Sequence, residues 1–102
     1  MDGLMTQYVA LIDGQQGAYG VVVPDLPGCT SAGNTIDEAR RNAIEAVRLW
    51  MEDAEADGEE LPRPRTLEVL RKDPEVAAAL AEGAALTIVP DSLDAELLKV
   101  NK

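Results

Sequence analysis

The sequence predicts a mixed α+β (α/β) domain in the order β-β-β-α-(α)-β. Three observations carry that prediction. Two apolar segments rich in β-branched residues flank a glycine-marked turn. A capping box then opens a long stretch whose apolar residues recur every three or four positions. A last short apolar run follows a second helical stretch. The hairpins give three antiparallel strands, and the long helix crosses one face of the sheet so that a further strand can join it.

The first strand is read over residues 5–12, MTQYVALI. There Tyr8, Ala10 and Ile12 face one way and Gln7 and Val9 the other, in imperfect alternation. The turn is DGQQG, residues 13–17, with two glycines free to take positive φ. The second strand covers 18–23. Pro24 ends it, because proline gives no N–H to a ladder. Residues 29–32 form a short third strand, broken by Gly33 and Asn34.

Thr35-Ile36-Asp37-Glu38 is a capping box, with Thr35 and Glu38 satisfying reciprocal donors. From there to Asp57 the pattern is helical. Ile36, Ala39, Ala43, Val47, Trp50 and Ala54 share a stripe that Ile44 and Met51 widen, and Gly58 stands where a helix ends. Residues 59–65, EELPRPR, are an extended connector. Thr66 caps a short helix to Lys72. Asp73 and Pro74 start another that ends at Gly83. Residues 84–90 are the last strand. The tail, 91–102, contains DAELL, which can make a helical turn.

The chain has 102 residues, enough for one domain, and is 46% hydrophobic. Its core must be aliphatic, since Tyr8, Tyr19 and Trp50 are its only aromatic residues. No apolar run approaches the roughly 20 residues of a membrane span, and no signal peptide is visible at the N-terminus. Cys29 is the one cysteine, read as a small buried residue at a turn. Without histidine, His-based acid–base catalysis and most zinc sites are excluded. A net charge of −10 repels phosphate and suits either plain solubility or a basic partner.

No phosphate loop, dinucleotide fingerprint, CxxC or nucleophile elbow occurs, and neither a cofactor nor a metal is expected. One catalytic alternative survives: Asp13, Asp25 and Glu45 holding magnesium for phosphodiester cleavage. Against it, Asp13 and Asp25 flank turns, where Asp is favoured for local hydrogen bonds.

The corner VVVPDLPGC, residues 21–29, is the most distinctive stretch. Pro24 and Pro27 fix φ and keep Val23 and Leu26 extended, and Gly28 lets the chain turn back. The expectation is a stiff loop holding Asp25 and Leu26 outward, either as a binding surface or as a simple strand connection. Trp50 is read as core or as half-buried surface.

Residues 19–39, YGVVVPDLPGCTSAGNTIDEA, resemble the HicB-type antitoxin family: a hydrophobic strand, PDLPGC, a short polar strand with Gly-Asn-Thr, then a helix opening with Glu-Ala. The resemblance runs from about residue 5 to residue 90. It implies a partial ribonuclease-H-like domain with helices packed on one face, lacking that fold's nuclease activity and hence not an enzyme. It further implies a cytoplasmic antitoxin of a type II toxin–antitoxin system. The partner would be a small, basic, mRNA-cleaving ribonuclease toxin, HicA-like, and the chain would form dimers or larger assemblies. On this reading residues 1–90 are the toxin-binding domain. Residues 91–102 are a tail, either a natural end or the truncated start of a DNA-binding domain, so this chain alone would bind no nucleic acid. The toxin contacts expected are Tyr19, Asp25, Leu26, Pro27 and Trp50, with acidic helix residues such as Glu45 and Glu52 as further contributors. An orphan homo-oligomeric scaffold is the remaining alternative.

Overall fold

The computed structural model describes residues 6–91. The strands are β1 (Gln7–Gln15), β2 (Ala18–Val22), β3 (Thr30–Gly33) and β4 (Ala85–Pro90). The helices are α1 (Ile36–Ala56), α2 (Leu67–Arg71) and α3 (Pro74–Ala81). The strands form one antiparallel sheet in the order β3-β2-β1-β4. The last strand therefore returns beside the first, as a helix crossing between them requires.

β1 is longer than the sequence predicts. Gly14 pairs with Tyr19 and Gln15 with Ala18, so the hairpin closes on Gln16 and Gly17 alone and Asp13 lies within the strand. A two-residue connection keeps the ladder in register to its end. β3 begins one residue late, because Cys29 turns into the core instead of joining the ladder.

α1 follows its sequence signals closely. Thr35 Oγ1 accepts from the Glu38 N–H at 3.0 Å. The Glu38 carboxylate reaches one residue further back than the usual box and accepts from Asn34 N–H at 2.6 Å. The helix N-terminus lies hard against β3: a Cβ on Gly33 would stand 2.5 Å from Ala39 N, so only glycine allows this approach. Ser31 Oγ also donates to Ala39 O at 2.8 Å. Two side chains of α1 reach the outer strands: Arg40 Nη2 donates to Ile88 O at 2.6 Å, and Asn42 Nδ2 to Ala32 O at 2.8 Å.

The stripe of α1 packs on Tyr8, Ala10, Ile12, Val21 and Val23. Ile36, expected in that stripe, stays exposed in the first turn.

The helices do not all lie on one face, and here the sequence expectation is corrected. Val9 and Leu11, of opposite parity to Tyr8 and Ala10, form a second core cluster with Leu70 of α2 and Val76 of α3. α2 and α3 therefore cover the other side of β1. The physical reason is that the central strand is apolar at both parities and must bury both faces. The connector 59–65 makes the crossing possible. It is held part-way by Tyr8, whose hydroxyl donates to Pro62 O at 2.6 Å. Among the described residues no helix is long and apolar enough to cross a membrane. The tail from residue 92, including DAELL, lies outside the described residues.

Candidate functional site

The corner between β2 and β3 is built from within. Val23 N–H bonds Cys29 O, Leu26 N–H bonds Val23 O, and Cys29 N–H bonds Leu26 O, at 2.9–3.1 Å. Gly28, at φ +82°, supplies the reversal that an L side chain would resist. The prolines frame this turn as the sequence implies.

The side chains, however, point the opposite way to that expectation. Leu26 is fully buried in the α1 core cluster beside Val23 and Cys29. An apolar side chain at a tight corner gains more from that burial than from solvent. The Asp25 side chain is only 5% exposed. Its Oδ2 accepts from Arg65 N–H at 2.7 Å and its Oδ1 from Arg65 Nε at 2.5 Å. A carboxylate can be buried at this cost only because it is paired and hydrogen-bonded. Thus Asp25 and Leu26 are corrected from outward contacts to inward anchors.

Arg65 extends the clasp. Its Nη1 also donates to Asp73 Oδ2 at 3.1 Å, while Asp73 Oδ1 accepts from Glu75 N–H at 2.9 Å as the α3 N-cap. One guanidinium therefore ties the corner to the start of α3. Hydrogen bonding to Asp25, then to Asp73, raises the Arg65 pKa. The bond from Arg65, then that from the Glu75 amide, holds the Asp73 carboxyl below its ordinary value. Tyr8 stands under the same corner, and burial, then the nearby Asp25 and Asp91 charges, push its phenol upward. Burial raises the Cys29 thiol as well.

The remaining predicted residues divide. Trp50 is half-buried, and its indole N–H donates to Pro27 O at 2.9 Å, so Trp50 and Pro27 meet at the corner's α1 side with Pro27 exposed. Tyr19 stands at the other end of β2, opposite Gly33, packed on the α1 core and away from the corner. Glu45 and Glu52 are exposed on α1 and both pair with Arg48. Asp13, Asp25 and Glu45 are not brought together. Glu45 stands on α1 and Asp25 is taken by Arg65. Among the described residues no group of three acidic or cysteine side chains could hold a metal.

Sequence reasoning missed Arg65 and Asp73 as partners of the corner. Only the opposite charges of Asp25 and the Arg residues flanking Pro64 hinted at a clasp.

The family model described as a HicB-like antitoxin of bacterial toxin–antitoxin systems matches residues 8–101. An uncharacterized 14.9 kDa protein from the rep-hol intergenic region of Haemophilus phage HP1 is 43% identical over 68 residues, 67% of this chain. The chain spans about half the length of that relative, 51%. Among solved structures, the N-terminal domain of the Burkholderia pseudomallei antitoxin HicB matches with a TM-score of 0.65 and 34% identity, covering 82% of this chain and 95% of that one. A chain of a HicA3–HicB3 toxin–antitoxin complex matches with a TM-score of 0.66 and 29% identity, again covering 82% and 95%. With its PDLPGC corner, capped helix and returning fourth strand, this chain belongs to the HicB-like antitoxin family.

Proposed function

We propose that this chain is the antitoxin of a type II toxin–antitoxin pair, and that it binds and neutralises a small basic ribonuclease of the HicA kind. The observation that carries this reading is its likeness, over most of its length, to a chain from a HicA3–HicB3 complex. The net charge of −10 favours the same partner, because opposite charges speed and steer association. The neutralising unit is residues 1–90. It acts in the cytoplasm, as a dimer or larger assembly, by binding and not by catalysis. A chain this acidic does not hold nucleic acid by itself.

Of the expected contacts, Tyr19, Pro27 and Trp50 reach solvent and can touch a partner directly. Asp25 and Leu26 serve from beneath, by fixing the corner's shape. A rigid corner loses little freedom on association.

The test is co-expression of the tagged chain with the small basic protein encoded beside its gene, followed by an RNA-cleavage assay. Co-purification with loss of cleavage is the expected outcome. No complex, with cleavage untouched, refutes the antitoxin reading and favours a homo-oligomeric scaffold. A mobility-shift assay with the promoter fragment is expected to show no sequence-specific complex with this chain alone.

A further inference from the structure

α2 and α3 cover β1 on the second face of the sheet but leave β2 and β3 open there. The seam where α3 stops is a groove of about 270 Å³. Leu11 and Val22, cross-strand partners, line its sheet side, and Val76 and Ala79 of α3 line its far side. Val22 is 48% exposed. On this face β2 and β3 present Ala18, Gly20, Thr30 and Ala32 beside it, while β1 presents Leu11, Asp13 and Gln15. The solvent-facing side of an antiparallel sheet is normally polar, yet among these β2 and β3 positions only Thr30 is polar.

The charges around the groove that have no salt-bridge partner among the described residues are acidic. Its basic lining residue, Arg65, is already taken by Asp25 and Asp73. Asp13 and Glu75 also line it and make no salt bridge among the described residues. The groove thus pairs apolar walls with two uncompensated carboxylates. A lysine or arginine side chain fits that pattern, because its stem is apolar and its head is charged.

We infer that this groove docks a cationic segment of a protein partner, with a Lys or Arg stem lying between Val22 and Val76 and its charge at Asp13 and Glu75. The inference rests on the antitoxin reading and adds which face the basic partner meets. That face is the side of the corner marked by Pro24, which also lines the groove, so a partner seated there meets the corner on a second side, besides the one where Pro27 meets Trp50. A second copy of this chain is a poor occupant, since a two-fold contact would set like carboxylates against each other.

The experiment measures affinity for the small basic protein encoded beside the gene, using the wild-type chain, Val22→Asp, Asp13→Lys and the control Glu55→Lys on α1. Thermal melts establish that each variant is folded. Val22→Asp and Asp13→Lys are each expected to weaken binding by about tenfold or more, with Glu55→Lys within about twofold. Asp13→Lys is also expected to flatten the salt dependence of the on-rate. If the wild-type chain forms no complex, both the antitoxin reading and the groove fall. If it binds and both groove variants bind within about twofold of it, the groove alone is overturned. If Val22→Asp instead dissolves a self-assembly and leaves partner affinity unchanged, the face belongs to a second copy and the inference is wrong.

Discussion

Replacing Leu26 by alanine separates an inward corner from an outward one. Leu26 has no exposed surface and packs in the α1 core cluster. Leucine-to-alanine changes at such sites cost about 2–5 kcal/mol. About 3 kcal/mol, within that range, is the working figure. A domain of this size has roughly 5–15 kcal/mol in total. At roughly 4–8 °C per kcal/mol, the midpoint should fall by about 12–24 °C. The urea midpoint should fall in parallel with an unchanged slope, since the surface exposed on unfolding is nearly the same. Leu26→Met keeps the volume and should cost less than about 1.5 kcal/mol. Were Leu26 a solvent-facing contact, alanine would change stability by no more than about 0.5 kcal/mol. A melting shift under roughly 4 °C would therefore refute the packing argument.

Three further perturbations follow from the same network. Asp73 has a lowered pKa, so its stabilisation is complete above the ordinary value of 3.8 and is lost as the pH falls below it. Arg65→Ala should flatten that acid limb in melts taken across falling pH, and an unchanged limb would contradict the clasp. Tyr8 has a raised pKa, so its contribution is complete below 10.0 and is lost as the pH rises past that value. Tyr8→Phe should remove this alkaline limb and cost about 0.5–1.5 kcal/mol near neutrality through the lost bond to Pro62. Gly33→Ala forces a Cβ against the Ala39 amide and should destabilise by about 1–3 kcal/mol in urea unfolding, whereas a neutral result would mean α1 can back away from β3.

Much of this architecture was legible because its signals are local. The Thr35 cap, the α1 stripe from Ala39 onward and the Asp73-Pro74 start each act within a few residues and each forms, although Glu38 closes its side of the box on Asn34 and Ile36 stays exposed. What was not legible depends on distance. The direction of Asp25 is decided by Arg65, 40 positions away, and nothing near Asp25 announces it. The second layer of helices had a readable trace. Residues 8–12 are apolar at every position, the mark of a strand buried on both sides, yet the run reads equally as poor alternation. The groove beside Val22 exists only once α3 is folded onto β1, so no stretch of sequence contains it.

The reach of Arg40 and Asn42 from one helix to the two flanks of the sheet has a consequence for how the molecule meets others of its kind. An outer strand with free carbonyls is a template onto which a foreign strand can add, and such edges seed aggregation. Here one carbonyl on each flank is already engaged by a side chain of α1. On the β4 flank, Pro90 contributes no N–H either. Strand addition at either border must first displace these bonds. An added strand would therefore have to give up a ladder bond at each border, and edge-upon-edge stacking carries that cost on both flanks.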